Sequence, residues 1–129
     1  MRYTHPDVLD EALDYIKQNC NKMVLIDLPG STTPTYAQVM GAYHLADVDM
    51  TASDFTIGNG VESGRQVIVA EKNGVDVDTS GDGNHMALVD TSTSRILHIT
   101  ETNVAAVSSP GSFNASNWRV EIQDPISFS

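Results

Sequence analysis

The residues whose spacing best fits a chemical task lie in one acidic segment, DVDTSGDGN, at positions 76–84. Asp76, Asp78 and Asp82, with Ser80 between them, place oxygen ligands at alternating positions, with Gly81 where a calcium-binding loop turns sharply. The match ends at Ala87, which occupies the position of the bidentate glutamate in such a loop. Two interpretations stay open: a calcium site that takes further ligands from elsewhere in the fold, or an ordinary acidic loop. Calcium is thus the one cofactor that the sequence suggests.

The other groups that could do chemistry form no recognisable catalytic arrangement. The four histidines are spread along the chain without the close spacing of a zinc site; they are His5, His44, His85 and His98. Cys20 is the only cysteine, and we expect it to be a buried, unreactive thiol. The chain contains no Gly-x-Ser-x-Gly sequence and no phosphate-binding glycine loop. We therefore predict no catalytic residues and no enzyme activity.

The aromatic residues allow two interpretations. Tyr36, Tyr43 and Trp118 could line a surface on which a sugar stacks. Alternatively, Trp118 is a core residue, because it begins a stretch that alternates cleanly between apolar and polar side chains. The alternation favours the core interpretation.

The charge of the chain limits its partners. It has 17 acidic and 7 basic residues, for a formal net charge of −10. The basic residues are scattered singly, so we expect no binding to nucleic acid and none to anionic membranes. The acidity favours solubility or docking on a basic partner. The N-terminus does not have the pattern of a signal peptide and no apolar run is long enough for a membrane span, which predicts a protein assembled in the cytoplasm.

The length predicts a single domain over residues 1–129. We expect a flexible N-terminal arm at 1–5, a helix at 6–20 and a β-rich body at 23–125. The helix is indicated by apolar residues at helical spacing: Val8, Leu9, Ala12, Leu13 and Ile16. Thr4 or Asp7 is the expected cap.

The rest of the chain favours β-structure. Residues 23–28 are apolar at nearly every position, which indicates a strand buried on both faces. A short helix is predicted at 36–46 with Thr35 as its cap, and a Gly-rich loop at 78–84. Residues 84–102 read as a hairpin whose polar turn can bond its own backbone. The pattern predicts a mainly β, single-domain β-sandwich or jelly-roll-like fold with an N-terminal α-helix and one further short helix.

Six segments carry a recognisable layout: VLDEALDYIKQN, MVLIDL, TYAQVMGAYHLA, SGRQVIVAEK, HMALVDTSTSRILHITE and NWRVEIQDP. This layout resembles a family of small virion structural proteins from tailed bacteriophages and related prophages. The most specific part is ALVD, a polar turn and RIL, followed by a closing strand that ends in EIQDP. The acidic loop at 76–84 departs from the shorter, less acidic loops of that family.

The resemblance implies a capsid decoration (cement) protein on the outer surface of a virion. Such a protein would bind the major capsid protein, bridge neighbouring subunits and stabilise the shell, as a homo-oligomer, either a dimer or a trimer. Met1, Arg2 and Tyr3 of the arm are the expected capsid contacts. Two alternatives remain: a neck, tail or head-spike adaptor of the virion, and a calcium- or carbohydrate-binding β module without a role in assembly.

Overall fold

The structure, a computed structural model, describes residues 3–124. The helices are α1 (Pro6–Asn19) and α2 (Tyr36–Met40), with a 3-10 helix at Ala52–Asp54. The strands are β1 (Lys22–Ile26), β2 (His44–Asp49), β3 (Phe55–Asn59), β4 (Arg65–Val69), β5 (Lys72–Asp76), β6 (Gly81–Asp90), β7 (Arg95–Val107), β8 (Ser112–Ala115) and β9 (Trp118–Ile122). The prediction of a mainly β fold with an N-terminal helix and one further short helix is confirmed.

Antiparallel pairing arranges the strands in three sheets. The largest has the order β2-β1-β6-β7, a second has the order β3-β4-β9, and β5 pairs with β8. The sheets and α1 all contribute side chains to one main core, which includes Leu13, Leu25, Phe55, Val67, Val75, Leu88, Ala115 and Val120. Sheets that share a core through their inner faces form a sandwich-like arrangement.

Strand β1 lies inside the four-stranded sheet and is covered on both faces. Met23 and Leu25 belong to the main core, whereas Val24 and Ile26 belong to a second apolar cluster. All four are at most 2% exposed. The second cluster is closed by α2, which contributes the fully buried Val39. The prediction of a strand buried on both faces is therefore confirmed.

Helix α1 is fixed at its start by a cap and along its length by an ion pair. The cap is His5, whose Nδ1 accepts a hydrogen bond of 3.0 Å from the Asp7 N–H, so the expectation of Thr4 or Asp7 was wrong. Further along, Asp10 receives two hydrogen bonds from the Arg65 guanidinium, at 2.7 and 3.2 Å. This bidentate pair ties α1 to β4. The apolar stripe of the helix faces the core through Leu9, Leu13 and Ile16.

The β6–β7 hairpin is closed by the turn that the sequence predicts. The buried Asp90 carboxylate accepts hydrogen bonds from the Ser92 N–H and the Thr93 hydroxyl, each at 2.9 Å. The side chain thus stabilises the turn from within. The hairpin extends beyond the predicted range, because its strands begin at Gly81 and end at Val107.

The longer hairpin corrects the predicted loop at 78–84. Gly81–Asn84 belongs to β6 instead, and Gly83 lies against the side chain of Leu25. A Cβ atom at position 83 would lie 2.6 Å from Leu25 Cδ1, so a glycine is needed for β1 and β6 to pack at this point.

The second helix is shorter than predicted. Thr35 caps it as expected, with a reciprocal hydrogen bond to Gln38, but the helix ends at Met40 and His44 already begins β2. Gly41 follows the last helical residue, where a glycine disfavours continuation of the helix. In the described part of the chain, we find no helix that has both the length and the apolarity to cross a bilayer.

Shortening Leu88 should destabilise the fold strongly, because its side chain is fully buried in the main core. We expect Leu88→Ala to lower the free energy of unfolding by about 2 to 5 kcal/mol, as measured by urea denaturation. The matched control is Val104→Ala, at a residue that is 68% exposed, which should change the free energy by less than about 0.5 kcal/mol. Equal effects of the two substitutions would contradict the burial assignment.

Candidate functional site

One histidine and two carboxylates meet where β2 lies beside the segment after β5. His44 Nε2 lies 2.6 Å from Asp47 Oδ2 and 3.8 Å from Asp78 Oδ2. The three donor atoms lie within 4.8 Å of one another. The His44 side chain is only 13% exposed and that of Asp47 27%, whereas that of Asp78 is 58% exposed. The cluster is therefore half enclosed and open to solvent on one side.

A bulge in β2 brings His44 and Asp47 to the same face of the sheet. Asp47 lies opposite Val24, but His44 lies opposite Ile26, because the register between β1 and β2 shifts at this point. Residues three apart in a regular strand point to opposite faces, and the bulge removes that alternation. Leu45 is the extra residue.

The backbone around Leu45 also holds Asp78 in place. The Leu45 carbonyl accepts hydrogen bonds from the N–H groups of Asp78 and Thr79, at 2.8 and 3.0 Å. One position away, Ala46 forms an isolated β-bridge with Val77. The segment after β5 is thus attached to the bulged stretch of β2. From this neighbouring segment of the same chain, the Asp78 carboxylate approaches His44.

Lys22 balances part of the negative charge beside the cluster. Its ammonium lies 3.3 Å from Asp47 Oδ1 and 2.7 Å from Asp49 Oδ1. Burial alone would raise the pKa of Asp47, but the hydrogen bonds and charges of His44 and Lys22 outweigh it and hold that pKa below its usual value. The hydrogen bond to Asp49 raises the pKa of Lys22. Asp47 therefore stays ionised at neutral pH, with Oδ1 toward Lys22 and Oδ2 toward His44.

The three residues of the predicted calcium site lie in different surroundings. Asp78 belongs to the cluster with His44, whereas Asp76 ends β5 opposite Ser112, and Asp82 lies in β6 opposite Ala106. The sequence did not indicate His44 as a partner of Asp78, because the segment around it was predicted to be helical. Calcium binding by Asp76, Asp78 and Asp82 stays a prediction.

The aromatic residues considered for sugar binding do not come together. Tyr36 and Tyr43 pack against the second cluster, whereas Trp118 packs against the main core. Trp118 is only half-buried and stacks on His98, with ring centroids 5.9 Å apart. Burial lowers the pKa of His98, so this imidazole is held neutral beside the indole.

A groove of about 440 Å³ runs along Trp118 between β7 and the β8–β9 segment. Its lining includes three asparagine side chains, and Phe113 adds a second aromatic ring to that of Trp118. The residues that give the groove this character are Asn103, Phe113, Asn114, Asn117, Trp118 and Arg119. The indole Nε1 is buried, and within residues 3–124 it has no hydrogen-bond partner. A groove with aromatic rings and amides can bind a polar organic ligand.

Strand β7 forms one edge of the four-stranded sheet and is unusually exposed. It spans 13 residues, and every residue from Glu101 to Ala106 is exposed. The register places Ala105 opposite Gly83 and Glu101 opposite His85, so the residues between form a bulge. The named sheets of the described chain pair β7 with β6 alone. Its outer edge therefore presents backbone N–H and C=O groups to the surroundings.

Of the N-terminal residues predicted to contact a capsid, the described part of the chain includes Tyr3. Met1 and Arg2 lie outside the described residues. Tyr3 is 61% exposed, and its ring meets that of His5 edge to face with centroids 6.5 Å apart. Tyr3 thus offers an exposed aromatic surface just before α1.

Neither a protein-family model, nor a curated protein, nor a solved structure matches this chain.

Native Cys20 should resist thiol reagents. Its side chain is buried at 4% exposure, and burial raises the pKa of the thiol to about 11. The reactive thiolate is therefore scarce at pH 8. We expect Ellman's reagent to leave the native protein unmodified on a scale of minutes and to label it stoichiometrically in denaturant. Rapid labelling of the native protein would show that the thiol is accessible.

Proposed function

We propose that the protein is a structural component of a bacteriophage virion, most specifically a capsid decoration protein that docks on the shell of the major capsid protein and stabilises it. The observation that carries the proposal is the exposed outer edge of β7. The resemblance of the sequence layout to small phage virion proteins supports the choice of partner.

The β7 edge has the properties of a strand that pairs with another chain. Over Glu101–Ala106 its one charged residue is Glu101, and Val104, Ala105 and Ala106 are exposed and apolar. Folded proteins usually protect such an edge with lysine, proline or a covering segment, since open edges pair with other strands. Residues 101–106 contain neither lysine nor proline, and the protection that this stretch does carry is the bulge. A partner strand added to β7 would complete the backbone hydrogen bonds of the sheet.

Many weak contacts of this kind can together hold a decoration protein stably on a capsid. A shell presents many equivalent sites, and a symmetric dimer or trimer engages several of them at once, so that modest interfaces add up. The acidic surface, at a formal net charge of −10, suits the outside of a particle whose interior holds nucleic acid. The exposed Tyr3, together with Met1 and Arg2, is the proposed additional contact.

The edge can be tested with one substitution and a matched control. Val104→Lys places a positive charge on the exposed edge, which opposes strand pairing. Val61→Lys makes the same change at a residue that is 61% exposed in the β3–β4 loop. Purified proteins are added to particles that lack the protein, and bound copies are counted by mass spectrometry. We expect hundreds of bound copies per particle for the wild type and for Val61→Lys. For Val104→Lys, we expect the number of bound copies to fall about tenfold or more.

Each other outcome of that experiment points to a different role. Equal binding of the two variants would show that β7 is not the docking edge. About a dozen copies or fewer would favour a neck, tail or head-spike adaptor, given the symmetry of those positions. Absence from particles would contradict a virion role. The β7 edge could also pair with a second copy of this chain, which light scattering on the free proteins tests. If Val104→Lys alone converts an oligomer into a monomer, the edge joins copies of this chain.

A carbohydrate-binding β module is the second candidate function, and the groove beside Trp118 favours it. Trp118 is the single tryptophan of the chain, so its fluorescence reports directly on occupancy of the groove. If this function holds, titration with a panel of oligosaccharides should change the emission saturably, and Asn103→Ala should weaken that response. Emission that stays constant up to millimolar sugar would contradict sugar binding in this groove.

A further inference from the structure

We propose that His44, Asp47 and Asp78 form a binding site for a divalent transition-metal ion, with Zn²⁺ as the best fit. The inference is independent of the role in a virion, since it concerns the free protein. It rests on the donor atoms, on how the backbone positions them and on the charge around them.

The distances between the donor atoms suit a small metal ion. A tetrahedral zinc site has metal–ligand bonds of about 2.0 to 2.2 Å, which places neighbouring ligand atoms about 3.3 Å apart. The two distances from His44 Nε2, 2.6 Å to Asp47 Oδ2 and 3.8 Å to Asp78 Oδ2, lie on either side of that value. Asp78 is the most exposed of the three side chains and can close the remaining gap by a rotation.

The kinds of donor atom favour zinc over calcium. One imidazole nitrogen and two carboxylate oxygens are ligands that Zn²⁺ accepts readily, whereas Ca²⁺ takes six to eight oxygens. Three protein ligands leave one position of a tetrahedral site for water, and Asp78 lies on the side that is open to solvent. Copper and nickel suit the same donors, so selectivity depends on geometry and supply.

The backbone holds the donors in position without the ion. The bulge at Leu45 turns His44 toward the side of Asp47, and the Leu45 carbonyl binds the N–H of Asp78. Bulges frequently occur where a strand must re-aim a side chain into a site. Metal binding therefore costs little conformational entropy of the chain, which favours a high affinity for the ion.

The net negative charge around the cluster favours the binding of a divalent cation. Three carboxylates lie in or beside the cluster, those of Asp47, Asp49 and Asp78, and Lys22 supplies one positive charge. The three carboxylates and the Lys22 ammonium together carry a net charge of about −2, which a divalent ion neutralises. Lys22 approaches Asp47 through Oδ1, so Oδ2 stays available to the metal. Lys22 therefore orients a ligand without occupying the site.

The experiment is a calorimetric titration of Zn²⁺ into tag-free protein that has been treated with a chelator. We expect the wild-type protein to bind one ion, and His44→Gln and Asp78→Asn to weaken binding at least about tenfold. Three matched controls should bind like wild type. Asp76→Asn and Asp82→Asn remove the same charge from exposed residues of the same segment, and His5→Gln removes an exposed imidazole.

Two further readouts distinguish a formed site from adventitious binding. Co²⁺ in place of Zn²⁺ should give the strong visible absorption of a tetrahedral complex, and Asp78→Asn should abolish it while Asp76→Asn retains it. Zn²⁺ should also raise the melting temperature of the wild type, since the ion joins β2 to the segment after β5. Circular dichroism of each variant without metal confirms that it is folded.

The proposal is overturned if the wild type binds no Zn²⁺ at millimolar concentration, or if Asp76→Asn weakens binding as much as Asp78→Asn. In the first case His44 is simply a hydrogen-bonding partner of Asp47 that lies near Asp78. If Ca²⁺ binds instead, and all three aspartate substitutions at 76, 78 and 82 abolish its binding, the loop is the calcium site that its sequence suggests.

Discussion

The coverage of β1 on both faces is the constraint on which the rest of the architecture depends. Met23–Ile26 is apolar at every position, so neither face of the strand can meet water without a large loss of stability. One face is met by the main core and the other by α2 with its preceding loop. Asn84 secures that loop, since its side-chain amide binds both the N–H and the C=O of Leu28. The central position of β1 leaves β2 and β7 as the edges of the sheet.

The two edges of the sheet offer different kinds of surface. The β2 edge carries the bulge that gathers His44, Asp47 and Asp78 into a polar, charged cluster. The β7 edge is long, exposed and nearly uncharged from Thr102 onward. Because β1 and β6 lie between them, a partner strand on β7 would leave the cluster on β2 uncovered. The proposed assembly surface and the proposed metal site can therefore be occupied at the same time.

The sequence predicts what depends on local pattern. Uniform apolarity indicated the strand buried on both faces, and the polar run after Val89 indicated the hairpin turn, because both signals lie within a few residues. Segment 36–46 fits a helix by pattern, but residues from His44 onward pair with β1, so tertiary pairing decided the outcome. The His44 cluster could not be predicted, because it depends on a bulge in the register between β1 and β2 and on a segment more than thirty residues further along. The glycines at 81 and 83 likewise look like a loop until the close approach of Leu45 to Gly81 and of Leu25 to Gly83 is known.

The position of β1 between β2 and β6 also affects how the chain folds during its synthesis on the ribosome. The β2 partner of β1 is already complete at Asp49, whereas Ile26 pairs with His85 and Lys22 with Val89. At about 5 to 20 residues per second, translation separates β1 from β6 by roughly 3 to 13 seconds. During that interval the nascent chain carries an apolar strand with one unpaired edge, and the β6–β7 hairpin, which forms in about 1 to 10 μs, closes the sheet almost as soon as it emerges. Until β6 is synthesised, β1 is therefore a short hydrophobic strand that can pair along one edge alone.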